Sequence, residues 1–271
     1  MKIVRALLAF LVAVFSASLV IHPADAADKI KVAIVGESEA VIWEPLVKRL
    51  ASQGIEIELI NFNDYVIPNQ ALDAGEVDLN AFQHYAYLGN QIKDQGYKIT
   101  AIGDTYISAM CIYSKKIKNI SELKEGDKVA IPNDAVNTGR ALAVLHGAGL
   151  IKLNTPAGRP PDENDIVENK LKLEIIPVDA AEVPSLLPDV AIGVINGNYA
   201  LDSKLSPQKD SIFYDNLGFY TDNSFVNVIA ARTQDVDNEV YKKIVAAYQS
   251  AETEKIFQDY FEGSYLPGWK K

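Results

Sequence analysis

Apolar and polar positions along the chain follow two alternating periods. Residues 31–35 (KVAIV) form a short apolar run that ends at Gly36, as is typical of a buried strand. From Ile42 to Leu50 the apolar residues return every three or four positions, which is the period of a helix, and Gly54 ends this pattern. Residues 55–62 alternate apolar and polar. The pattern therefore predicts a strand, a helix and a second strand.

The same rhythm continues through the next forty or so residues. Pro68 suits the first turn of a helix predicted over 69–74, residues 77–82 form a third strand, and a helix follows over 86–95. Such alternation predicts a largely parallel sheet with helices on both faces. Ligands bind beyond the carboxyl ends of the strands in such sheets, and residues 80–88 (NAFQHYAYL) lie at this position.

A second strand–helix series follows. It begins with a strand at 128–131, a turn at 132–134 and a helix at 138–146. Later elements are an exposed loop at 154–164, strands at 171–176, 190–195 and 225–231, and helices at 236–250 and 252–261. Two series of similar size, with a strand and helices left over, predict an α/β protein of two lobes whose chain returns to the first lobe. The predicted lobes are 27–111 plus 229–271, and 112–228.

The length and composition fit this division. A chain of 271 residues with 48% hydrophobic residues is long enough for two folded lobes. Residues 1–5 (MKIVR) are basic, residues 6–21 are uninterruptedly apolar, and Ala24-Asp25-Ala26 offers small residues to a signal peptidase. We expect an export signal cleaved after Ala26, an uncleaved anchor being the alternative. Cys111, in an apolar run, is the only cysteine, so no lipid-anchor cysteine is expected at the junction and the protein is expected to be periplasmic and soluble.

The charge of the chain restricts its partners. The formal net charge is −10, and removal of residues 1–26 makes it one unit more negative. This field repels nucleic acid and anionic lipid, so nucleic-acid binding is not expected. An anionic ligand would have to be held by a local positive site.

The sequence offers little for a metal or for catalysis. His84 and His146 follow the predicted signal in different lobes, and neither has cysteine or histidine neighbours at zinc-ligand spacing. His146 ends a predicted helix, where it would interact with the carbonyl end. The G-x-S-x-G, G-x-G-x-x-G and P-loop motifs are absent. We therefore predict no metal, no cofactor and no catalytic triad.

Asn137-Thr138-Gly139-Arg140 is a candidate anion site. Asn137 would cap the helix, Gly139 would let a ligand approach the free N–H groups, and Arg140 has a fork that fits a carboxylate. The alternative is an ordinary capped helix with a solvated arginine.

A set of aromatic residues is the second candidate: Tyr65, Phe82, His84 and Tyr87. Rings with polar tips would suit an apolar or thioether side chain, because sulfur packs well against ring edges. The alternative is that these residues fill a core.

Three amides follow or begin predicted strands: Asn196, Asn198 and Asn227. They would bind an ammonium or a carboxylate, although amides in turns often bind only the backbone.

These motifs occur in one order along the chain: NDYVIPN (63–69), FQH (82–84) with Tyr87 and Leu88, IPND (131–134) with Asn137, GRAL (139–142), VINGNYA (194–200) and VN (226–227). Over residues 29–269 the chain resembles the NlpA/MetQ-like methionine-binding family of periplasmic substrate-binding proteins. The resemblance implies a type II-like two-lobed fold, each lobe a mainly parallel sheet flanked by helices, with two crossing segments as hinge. It also implies delivery of a ligand to the permease and ATPase of an ABC importer.

The resemblance implies a role for each candidate residue. Tyr65, Phe82, His84 and Tyr87 would form the aromatic side of the cleft, Asn137 and Arg140 would hold the ligand carboxylate, and Asn196 and Asn227 would contact its polar main-chain part. Asn198 is a weaker candidate, because family members vary there. Residues 36–40 (GESEA) replace a Gly-Pro-His-Ala-like turn, and acidic groups near the cleft would favour a different or longer ligand.

We therefore predict a monomeric, non-enzymatic binding protein whose lobes close on L-methionine, a methionine derivative or a methionine-containing dipeptide. The alternative is a periplasmic enzyme on the same scaffold, such as a dehydratase of a small carboxylic acid with His84 as its acid or base. A chaperone or adhesin role is a third possibility.

Overall fold

A computed structural model describes residues 29–215 and 222–270. The predicted signal peptide, with its cleavage after Ala26, lies outside the described residues. In chain order, the strands are β1 (Ile30–Val35), β2 (Ile57–Phe62), β3 (Leu79–His84), β4 (Ile99–Asp104), β5 (Tyr106–Ser108), β6 (Cys111–Tyr113), β7 (Lys128–Pro132), β8 (Lys152–Leu153), β9 (Ile166–Glu168), β10 (Glu174–Val178), β11 (Ile192–Ile195), β12 (Ser211–Phe213), β13 (Asn227–Arg232) and β14 (Tyr265–Pro267). The helices are α1 (Glu37–Ala51), α2 (Ile67–Ala74), α3 (Tyr85–Gln95), α4 (Ala135–Gly147), α5 (Gly197–Asp202), α6 (Glu239–Tyr248) and α7 (Ala251–Phe261).

The first sheet has the strand order β2-β1-β3-β13-β4 within the described residues. Strand β1 pairs parallel with β2 and β3, and β13 runs antiparallel to β3 and β4. Side chains of β1 alternate between the two faces, so that Val32 and Ile34 pack with α1, α6 and α7, whereas Ala33 packs with α2 and α3. We call this sheet with these helices the first lobe.

The second sheet has the order β10-β7-β11-β6-β12 in the part of the chain that the structure describes. Strand β7 pairs parallel with β10 and β11, while β6 pairs antiparallel with β11 and β12. Val129 and Ile131 of β7 face a core that includes Leu142 and Leu145 of α4. We call this sheet with α4 and α5 the second lobe.

The chain passes between the two sheets twice, once between β4 and β6 and once between β12 and β13. The returning strand β13 and helices α6 and α7 complete the first lobe, as the leftover strand and helices in the sequence indicate. The predicted two-lobed α/β fold is confirmed, and the antiparallel strands lie where the chain crosses. None of the described helices is long and apolar enough to span a membrane.

Local signals explain most element ends. Gly75 and Gly96 end α2 and α3 with left-handed φ values of 77°, which residues with a Cβ rarely adopt. The third strand is shifted from the predicted 77–82 to Leu79–His84, because His84 is still paired with Asn227 of β13. His84 is thus both the last residue of β3 and the N-cap of α3.

Candidate ligand-binding site

The four predicted aromatic residues lie together at the carboxyl ends of β2 and β3. The ring centroid of Tyr65 lies 5.8 Å from that of Phe82 and 6.0 Å from that of Tyr87. The Tyr87 hydroxyl donates a hydrogen bond of 3.0 Å to the backbone carbonyl of Tyr65, which holds the Tyr87 ring against the segment that carries Tyr65. These rings belong to an apolar cluster and also form one wall of a cavity, so filling a core and lining a site are not alternatives here.

The imidazole of His84 connects the two lobes. Its Nδ1 accepts the backbone N–H of Tyr87 at 3.1 Å, so the proton is assigned to Nε2, which donates to Asn137 Oδ1 at 3.3 Å. Burial, followed by the nearby charge of Arg140, lowers the pKa of His84 to about 3. The ring is therefore neutral at physiological pH and acts as a positioned hydrogen-bond donor.

The start of α4 differs from the prediction. The helix begins at Ala135 and its N-cap is Asp134, whose Oδ1 accepts the backbone N–H of Asn137 at 2.9 Å. The prediction that Asn137 caps the helix is wrong, because the carboxylate three residues earlier already binds that N–H. The Asn137 side chain instead donates through Nδ2 to Asp134 Oδ2 at 2.9 Å, and its Oδ1 accepts from His84 and Asn196 in the cavity.

Gly139 does not make room for a ligand. A Cβ at this position would lie 2.8 Å from Pro160 Cβ and 2.9 Å from the carbonyl oxygen of Pro161. The glycine is required because the loop that contains these prolines packs directly on α4. The predicted approach of a ligand to Gly139 is therefore wrong.

Arg140 is buried with only 5% of its surface exposed, so it is not a solvated surface arginine. Its Nη2 donates to the carbonyl of Ser108 at 2.7 Å and lies 3.4 Å from Asp215 Oδ2. Its guanidinium carbon also lies 4.4 Å from the ring centroid of Phe225, and the Phe225 ring contacts His84 edge to face. This packing holds the guanidinium beside the aromatic wall.

The predicted amides complete the cavity from the second lobe and from β13. Asn196 donates to Asn137 Oδ1 at 3.0 Å, and Asn198 Oδ1 accepts the Tyr65 hydroxyl at 2.5 Å. Asn227 donates to the carbonyl of Tyr106 at 3.2 Å. The Oδ1 of Asn196 is buried and has no hydrogen-bond partner among the described residues. It is therefore an acceptor available to a donor inside the cavity.

All nine predicted site residues line this one cavity, which comprises about 370 Å³ of space including the part open to solvent. Four further lining residues were not predicted: Gln83, Tyr106, Ser108 and Gly197. Of these, Gln83 lies in the FQH motif and Gly197 follows a strand within Asn-Gly-Asn, whereas Tyr106 and Ser108 have no such sequence signal. A Cβ at Gly197 would lie 2.9 Å from Ser108 Oγ.

The acidic segment after β1 does not line the cavity. Glu39 is buried behind it, where its carboxyl group accepts a hydrogen bond from the hydroxyl of Tyr106. Burial raises the pKa of Glu39 to about 8. Within residues 29–215 and 222–270, no group of three or more His, Cys, Asp and Glu residues is placed to hold a metal ion.

Two sheets joined by crossing strands, with a polar and aromatic cavity between them, define the class of two-lobed substrate-binding proteins. Residues 30–269 match the family described as NlpA lipoprotein, and the chain belongs to this family.

Individual relatives are similar over nearly the whole chain. The D-methionine-binding lipoprotein MetQ of Salmonella typhimurium is 43% identical over 89% of this chain and 88% of its own length. Outer membrane lipoprotein 3 of Mannheimia haemolytica is 42% identical over 99% of this chain and 100% of its own. The structure of a nutrient binding protein from Burkholderia cenocepacia bound to methionine superposes with a TM-score of 0.83, at 43% identity, over 88% of this chain and 99% of that one.

These relatives correct the expected localisation. The family and both named relatives are described as lipoproteins, which points to a lipid-anchored protein. The prediction of a soluble periplasmic protein without a lipid-anchor cysteine is therefore contradicted. The prediction depended only on the missing cysteine near Ala26. Cys111, the cysteine that the sequence does contain, is a buried strand residue, and burial raises the pKa of its thiol to about 11.

Proposed function

We propose that the protein binds methionine between its two lobes and supplies it to an ABC importer. The observation that carries this proposal is the cavity itself, in which an aromatic wall of the first lobe faces a guanidinium and amides of the second. The names of the relatives support methionine as the ligand, although MetQ of Salmonella typhimurium is named for the D enantiomer. A derivative or a methionine-containing dipeptide remains within the proposal.

We assign a part of the ligand to each wall. The thioether side chain would pack between Tyr65, Phe82 and Tyr87, because sulfur contacts ring edges favourably. The carboxylate would bind Arg140 and the amide of Asn137, where a buried positive charge compensates its desolvation. The ammonium would donate to Asn196 Oδ1, the buried acceptor without a partner among the described residues.

We also propose a non-enzymatic role, which the environment of His84 supports. The dehydratase alternative requires a proton-transfer group with a pKa near neutrality. His84 is unsuited to this task, because its pKa is about 3 and both ring nitrogens are engaged in hydrogen bonds. We further propose lobe boundaries close to the predicted 27–111 plus 229–271 and 112–228, shifted by one or two residues so that β6 lies wholly in the second lobe and β13 wholly in the first. We also propose a monomer, and docking on the permease with its ATPase.

The carboxylate assignment is tested by changing the ligand and the protein together. Calorimetric titration of the wild type with L-methionine, D-methionine and methioninol, which lacks the carboxylate, should show tight binding of a methionine enantiomer and weak binding of methioninol. Arg140→Ala should weaken methionine binding by about 2–5 kcal/mol, because the carboxylate loses its buried partner. The variant should then discriminate little between methionine and methioninol.

Asn164→Ala is the matched control, since Asn164 is an exposed amide on the surface loop. Circular dichroism of each variant shows whether it is folded. Near-wild-type methionine affinity in folded Arg140→Ala would refute the carboxylate assignment. Failure of the wild type to bind either enantiomer, a methionine derivative or a methionine-containing dipeptide would refute the proposed function.

A further inference from the structure

Helix α1 of the first lobe receives its N-terminal cap from the second lobe. The N-cap residue is Gly36, which has no side chain to accept the free N–H groups of the first turn. The acceptor is instead Asp202, the last residue of α5, whose Oδ1 accepts the backbone N–H of Ser38 at 2.8 Å. The two residues are 164 positions apart in the chain.

The absence of a side chain at Gly36 leaves room for the Asp202 carboxylate. Gly36 has a φ of 91°, and a Cβ on it would lie only 2.0 Å from Asp202 Oδ2. The neighbouring residue Leu201 packs against the apolar core of the first lobe, which brings the end of α5 onto α1. Asp202 does not line the ligand cavity.

Helix α5 also reaches the ligand cavity. Its N-terminal residues Gly197 and Asn198 line the cavity, and its C-terminal residue is Asp202. One short helix thus joins the candidate ligand contacts to the cap of α1. A movement of the second lobe away from the first would separate Asp202 from Ser38 and leave the start of α1 to water.

We propose that Asp202 is an interlobe latch that stabilises the closed form by capping α1, and thereby sets ligand affinity without touching the ligand. This inference rests on the proposed function. An N-cap acceptor contributes about 1 kcal/mol, which corresponds to about a fivefold change in an equilibrium constant. Asn caps helices as well as Asp does, so the hydrogen-bond acceptor and not the charge is the required feature.

Two measurements on the whole protein test how strongly Asp202 stabilises the closed form. The first is the Kd and dissociation rate of methionine. The second is the distance between spin labels at Ile67→Cys and Ala181→Cys, which lie on opposite sides of the cleft mouth. Cys111 is fully buried, so the labels should attach only to the introduced thiols.

Asp202→Ala should raise the Kd about fivefold, mainly through faster dissociation, and should increase the long-distance population of the labels. Asp202→Asn should stay within about twofold of the wild type, since it keeps the acceptor. Gly36→Ala fills the space of the carboxylate but also places a Cβ at a φ of 91°, which lowers stability by itself, so its label distances alone are compared with those of Asp202→Ala and should resemble them. Asp94→Ala, an exposed change on α3 whose partner is the nearby Asn90, is the control.

The latch is refuted if Asp202→Ala leaves both the Kd and the label distances unchanged, or if Asp202→Asn loses as much as Asp202→Ala. If Asp202→Ala does not fold, the label distances in Gly36→Ala decide in the same way. If the wild type binds neither methionine nor a derivative or dipeptide of it, the proposed function fails. The latch is then tested by comparing the ligand-free label distances of Asp202→Ala with those of the wild type, and equal distances would refute it.

Discussion

Replacing Glu39 by glutamine should stabilise the protein at alkaline pH and leave it nearly unchanged at acid pH. Glu39 is 1% exposed and accepts a hydrogen bond from Tyr106. The hydroxyls of Tyr248 and Tyr265 are buried nearby without a hydrogen-bond partner in the described chain. Burial first, and then the charge of Glu39, raises the pKa of both tyrosines well above its usual value.

The pKa of Glu39 sets the magnitude and the sign. Burial raises it from 4.5 to about 8, with a smaller contribution from the charge of Asp202. The folded state therefore binds a proton that the unfolded state has released between about pH 4.5 and 8. The free energy of unfolding falls as pH rises through this window. At about 1.4 kcal/mol per pKa unit, the full loss is about 4–5 kcal/mol.

Urea denaturation of the wild type and Glu39→Gln from pH 4.5 to 9 measures this effect. The difference between the two free energies of unfolding should be small near pH 5, should grow in favour of the variant up to about pH 8 and should then level off. Groups that titrate equally in both proteins cancel in this difference. A constant difference across the range would show that Glu39 is ionised in the folded state throughout, and the reasoning would be refuted.

Two further predictions concern packing in the first lobe. Asn69→Ala should lower the free energy of unfolding by about 1–3 kcal/mol, because the buried Gln83 loses its two hydrogen bonds to Asn69, of 2.7 and 2.6 Å. Urea denaturation measures this loss, and a value below about 0.5 kcal/mol would contradict the prediction. Gly103→Ala should destabilise by about 1–3 kcal/mol, because its Cβ would lie 2.4 Å from Val245 Cγ1. Val245→Ala should relieve this overlap, so additive effects in the double variant would refute it.

The candidate site could be predicted from the sequence to an unusual extent, because its residues follow the ends of strands. The carboxyl ends of parallel strands meet at one edge, so Tyr65 and His84 had to lie near one another once the first sheet formed, and Asn196 had to lie at the carboxyl edge of the second sheet. Tyr106 and Ser108 could not be predicted in this way. They lie in the crossing segment, and only the relative position of the lobes turns them towards the cavity.

The sequence by itself determined the elements, since helix and strand periods and the glycines that end helices are properties of neighbouring residues. It also determined the two-lobed class through the order of those elements. Only the tertiary structure decided that Gly139 packs against a proline loop and that Asp202 caps α1. Each of these depends on which acceptor or side chain lies next to a given backbone group in the folded protein. For residues far apart in the chain, packing determines that neighbour, and spacing along the sequence does not.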